Sequence, residues 1–146
     1  MTKHIRLIPA LALGMAVSMP TLATAAIVTV NVVDPATLIA KGAGALVSVQ
    51  VTCDTSFGSG SQVFGSVNLT ERVGNKVANG SGAFPFGPDP NAITCDGTPQ
   101  TFQIVTTPLS QRFRSGLALA QASLFVSSPI QGGSAQVTQQ IHFVNK

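Results

Sequence analysis

The chain has 146 residues, with eight Lys and Arg, five Asp and Glu, two His, two Cys and neither Trp nor Tyr. Only one of the two His, His142, lies beyond residue 25, so with two Cys it falls short of a four-ligand zinc cluster and of a histidine-built redox site. No phosphate loop, dinucleotide fingerprint or G-x-S-x-G nucleophile elbow is present, so nucleotide-binding and serine-hydrolase classes have no support.

Residues 1–25 read as a secretory signal. Lys3, His4 and Arg6 precede the apolar run Leu7 to Val17, and Ala23-Thr24-Ala25 supplies small residues in A-x-A order. The run is shorter than the roughly 20 residues that span a bilayer. Cleavage then leaves a mature domain, 26–146, with no stable membrane span. Lys3 and Arg6 leave with the signal, so six Lys and Arg face five acids and the net charge falls from +3 to +1. The basic pI therefore comes largely from the export signal, and no nucleic-acid partner is expected.

The mature chain reads as strand after strand. Residues 27–33, "IVTVNVV", are β-branched and alternating. In "GALVSVQVTCD", 44–54, Ala45, Val47, Val49, Val51 and Cys53 share one face, the period of a half-buried strand. Residues 61–73 continue with Val63, Val67, Leu69 and Val73 in phase, and "VGNK", 73–76, predicts a tight turn into a Gly-rich return strand, 76–84. The proline-rich segment 85–91 predicts an irregular loop. Residues 98–107 place Phe102, Ile104 and Thr106 on one face, and 110–116 form a polar connection. Residues 117–128 are rich in helix-forming Ala and Leu, yet Ala118, Ala120, Ala122, Leu124 and Val126 alternate, which predicts strand. A turn at 128–134 and a last strand at 135–144, with Val137, Ile141 and Phe143 in phase, complete the chain. The expected fold is all-β: an antiparallel immunoglobulin-like β-sandwich of seven or eight strands.

Cys53 and Cys95 lie 42 positions apart in the matching phrases "VTCD" and "ITCD". A metal clip lacks further ligands and a redox pair lacks the C-x-x-C spacing, so an exported chain predicts a structural disulfide. The bridge would bring Asp54 and Asp96 together, but calcium wants six to eight oxygens. Two solvent-facing aspartates at strand ends are the expectation, with no metal and no cofactor. His142 falls on the polar phase of the last strand and is expected at the surface. Glu71 is expected to answer a cross-strand charge. Phe57, Phe84 and Phe86 fall in predicted loops, where they form a candidate ligand or partner surface if exposed and cap the core if turned inward.

The stretches "ATLIAKGAGALVSVQVTCD", "VNLTERVGNKVANGSG", "ITCDGTPQTFQIVTTP" and "GLALAQASLF" carry a resemblance. The chain resembles small exported bacterial proteins with a single Ig-like β-sandwich domain. It is more distantly similar to the secreted apoproteins that hold enediyne chromophores and to pilin subunits. The resemblance implies a non-catalytic extracytoplasmic or secreted protein whose partner is another protein or an envelope component. A small-ligand carrier is the alternative, and a pilin-like or adhesive subunit the third reading.

Overall fold

The computed structural model describes residues 27–84 and 92–146. The predicted signal and the whole proline-rich loop, 85–91, with Phe86, lie outside the described residues.

Eight strands follow in chain order: β1 (Val28–Ile39), β2 (Gly44–Cys53), β3 (Ser61–Val73), β4 (Lys76–Ala83), β5 (Ala92–Ile93), β6 (Gln100–Pro108), β7 (Gly116–Ser127) and β8 (Gly132–Asn145). The alternating patterns become inward and outward faces. Ala45, Val47, Val49, Val51 and Cys53 of β2 are completely buried, as are Val63 and Val67 of β3. On β7, the Ala-rich face from Ala118 to Val126 is buried. That strand is paired along both edges, by β3 and by β8. Cross-strand pairing on two sides thus overrides the helix propensity of Ala and Leu.

The expected antiparallel sandwich needs correction. Hydrogen bonding runs β4-β6-β2-β1-β8-β7-β3, and β3 also pairs with β4, so seven strands close into a mixed barrel with β5 beside β3. Two short seams make the closure. Ala36, Thr37 and Leu38 of β1 pair in parallel with Phe143, Val144 and Asn145 of β8. Gly80 and Ser81 of β4 pair with Pro108 and Thr107 of β6. β1 reaches the first seam because its register with β2 shifts between Val33 and Thr37. Pro35, inside that shift, has no N–H to donate to a ladder. The strand therefore runs on to Ile39, where the sequence predicts an end after Val33.

The interior is filled with β-branched side chains and four large rings, Phe57, Phe84, Phe113 and Phe143. Phe113 and Phe143 pack at 5.1 Å between centroids and Phe84 meets Phe102 edge-on at 5.6 Å. With strand interiors apolar and their outer faces mostly uncharged, the charged residues gather at the two ends of the barrel. That separation positions the candidate site.

Candidate functional site

One end of the barrel gathers the β1–β2 corner, the β3–β4 turn, the β6–β7 loop and the carboxyl terminus. In the corner, Ala40, Lys41 and Gly42 all have positive φ (48°, 54° and 82°), which wraps the chain tightly and turns Lys41 out to solvent. Gly42 is required there by both conformation and space: a Cβ would stand 1.9 Å from the Phe113 carbonyl oxygen. The Phe113 amide donates to the Gly42 carbonyl at 3.0 Å, which ties the β6–β7 loop to the corner.

The same loop is held to β4. The Leu109 amide donates to the Asn79 carbonyl at 2.7 Å, and the Ser110 hydroxyl donates to the Val77 carbonyl at 3.2 Å. Phe113 drives its ring into the core while its neighbours Arg112 and Arg114 stay exposed. Beneath them lies Glu71, which is only 3% exposed; it accepts a hydrogen bond from the Arg114 amide at 2.9 Å. Burial raises the Glu71 pKa above its ordinary value, and the Arg114 amide and charge only partly offset this. Arg72 donates to the Gly74 carbonyl across the β3–β4 turn, and Lys76 starts β4 beside it.

Two adjoining open concavities mark this end, of about 360 and 420 Å³. Both are lined by Leu38, Lys41 and Asn145; the first adds Lys146 and the second adds Phe113 and Arg114. All six Lys and Arg of residues 27–146 thus collect at one end, over the buried Glu71 carboxylate, with the exposed Asp34 on the flank beside His142.

The opposite end holds the residues singled out in the sequence. Cys53 and Cys95 are joined in a disulfide. Asp54 accepts from the Ile27 amide at 2.9 Å and the Ser56 amide at 3.0 Å, capping a short 3₁₀ turn at Thr55–Phe57. Asp96 accepts from the Thr98 amide at 2.8 Å and the Thr98 hydroxyl at 2.5 Å. These bonds hold both carboxyls below the usual aspartate value, the neighbouring hydroxyl contributing most in each case.

The candidate Phe surface needs correction. Phe57 and Phe84 are completely buried, so neither presents a face to a ligand or partner. Phe57 lies so close to Val28 and Gly133 that a Cβ on Gly133 would meet its ring at 2.8 Å. Burying two rings at a barrel mouth removes apolar area that a loop would otherwise expose to water. Phe86 lies outside the described residues.

His142 is 60% exposed, in keeping with its polar phase, but it is not isolated. Its amide donates to Asp34 Oδ1 at 2.6 Å and its Nδ1 lies 3.0 Å from Asp34 Oδ2. The His142 amide and ring hold the Asp34 carboxyl below the usual value. Sequence reasoning missed this pair because its members are 108 positions apart. Glu71 was also misread: it answers a backbone amide in the interior instead of a charge on a neighbouring strand.

Among the described residues, every carboxylate side chain accepts a hydrogen bond from a backbone amide. No group of three or more His, Cys, Asp and Glu is arranged to hold a metal ion, and no helix is long and apolar enough to cross a membrane, again among those residues.

No protein-family model matches the chain, and no curated protein matches it. Among solved structures it is similar to AggA, the major subunit of aggregative adherence fimbriae type I from Escherichia coli. The two share 17% identity over 86% of this chain and 98% of that chain, with a TM-score of 0.44. A likeness at that score carries no functional argument.

Proposed function

We propose that the chain is an exported, non-enzymatic all-β domain with a structural or binding role at the cell envelope or outside it. One observation carries the reading: the four described carboxylates all brace backbone amides, and the one described histidine is paired with one of those carboxylates. General acid–base catalysis needs a titratable group free to meet a substrate proton. Here those groups tie corners, turns and a strand seam instead. The Cys53–Cys95 disulfide supports an oxidising destination, and the signal-like order of residues 1–25 supports export.

A carrier built on the Phe-bearing loops has less support, because Phe57 and Phe84 fill the core. Native mass spectrometry of the chain recovered from its host tests the choice. A structural or binding domain leaves the instrument as bare protein or bound to another macromolecule. A stoichiometric small molecule that survives desalting would favour the carrier and overturn the reading.

A further inference from the structure

We propose that the cationic end docks the chain on an anionic bilayer surface, its Lys and Arg meeting lipid phosphates while Leu109 enters among the headgroups. The first observation is the one-sided charge: Lys41, Arg72, Lys76, Arg112, Arg114 and Lys146 surround one end, where Glu71 is buried under the Arg114 amide and Asp34, on the flank, is paired with His142. The second is independent of charge. Leu109 is 74% exposed at the start of the β6–β7 loop, and Val77, Leu117 and Val144 are exposed around the same end; Ile27 and Ile130 are exposed at the other end, where no Lys or Arg accompanies them. Large apolar side chains standing in water among cations match a surface that offers phosphates outside and acyl chains just beneath.

The start of the loop is also stiff. The Leu109 amide is bound to Asn79, and Ser110 is bound to Val77. Leu109 is therefore presented without a large ordering cost on docking. The composition favours lipid over a protein partner. Three of the six cations are lysines, which protein interfaces avoid. The two concavities beside Lys41, Arg114 and Lys146 are wide enough for a phosphate headgroup. The proposal names the partner class for the envelope role above and rests on that role only for which bilayer is met.

Co-sedimentation of the mature chain with vesicles tests it, using phosphatidylcholine alone and phosphatidylcholine mixed with phosphatidylglycerol. Docking predicts partition at least tenfold higher onto the anionic vesicles. That preference collapses as salt rises from about 0.1 M to 1 M, where the Debye length shrinks from about 10 Å to 3 Å. Arg112→Gln combined with Arg114→Gln should lower partition about 30-fold, since each basic residue near an anionic surface contributes roughly fivefold. Leu109→Ser should lower it about tenfold, and its exposure leaves the fold unaffected, as circular dichroism will verify. Equal partition onto both vesicle types, no partition at low salt, or full partition by the Arg double variant overturns the proposal. So does self-association without vesicles that Asp54→Asn with Asp96→Asn abolishes, because the cationic end would then be meeting the acidic end of a second copy. A chain recovered from the envelope that ignores anionic vesicles overturns the docking alone and leaves the envelope role standing.

Discussion

At the scale of single residues, the carboxylates divide by sign. Glu71 is raised by burial, so the folded chain keeps its proton at a pH where the unfolded chain has lost it. Its contribution is complete below the unfolded pKa, near 4.3, and is lost as pH rises through the higher folded value. Glu71→Gln keeps an oxygen for the Arg114 amide and removes that loss. It should match the parent at pH 4 and exceed it in urea midpoint at pH 7; lower stability at pH 7 alone would contradict the burial argument. Asp34, Asp54 and Asp96 have the opposite sign, since each is held down by its hydrogen bonds. Their contribution is present above about pH 3.9 and fades as pH falls through the folded values, so the acid limb should persist in the Gln variant. Gly42 gives a second residue-scale outcome. Ala there meets both a positive φ and the Phe113 carbonyl, which should cost about 2–4 kcal/mol. Gly74, with φ of 61° and nothing within 4 Å of an added Cβ, should cost only about 1 kcal/mol on the same change. Equal losses by thermal denaturation would mean the corner is not clamped by Phe113.

Among the elements, the Cys53–Cys95 bridge ties the end of β2 to the segment between β5 and β6. Closing a loop of 42 positions should contribute on the order of 4 kcal/mol, so replacing both cysteines with Ala should cost about 2–5 kcal/mol in a chemical denaturation series. A loss under 1 kcal/mol would show that the unfolded chain gains little from being cut free. Strand order and inward faces were legible because alternation is local: β2, β3 and β7 each display their buried side over ten residues or more. Barrel closure was not legible. It depends on three pairs between Ala36–Leu38 and Phe143–Asn145 and two between β4 and β6, and nothing local in either stretch names its distant partner. Pro35 hid the second half of β1, since a proline after Asp34 reads as a break while the strand only shifts its register with β2 there and gains β8 as a second partner. The loop position of Phe57 was read correctly from its neighbours, but its inward turn depends on the space left beside Gly133.

Over the whole molecule, the separation of charge was present in the sequence and went unread. Where successive long strands run in opposite directions, alternate connections lie at the same end. The β1–β2 corner, the β3–β4 turn and the β6–β7 loop carry Lys41, Arg72, Lys76, Arg112 and Arg114, while the connections between them carry Asp54 and Asp96. Reading 110–116 only as a polar connection missed this, because the fellows of Arg112 and Arg114 are dispersed along the chain and converge only when the barrel closes. A net charge of +1 over residues 26–146 thus conceals a basic end and an acidic end roughly 30 Å apart, the length of a ten-residue strand. The disulfide sits at the acidic end and the candidate docking surface at the basic end, so stability and binding should be separable by mutation. The intact mass of the chain recovered from the extracytoplasmic fraction of its own host tests export and oxidation together. The predicted species spans residues 26–146 and is two hydrogens lighter than the dithiol form. A chain found in the cytoplasm, still carrying Leu7 to Val17 and with both thiols free, would contradict the exported, disulfide-closed role.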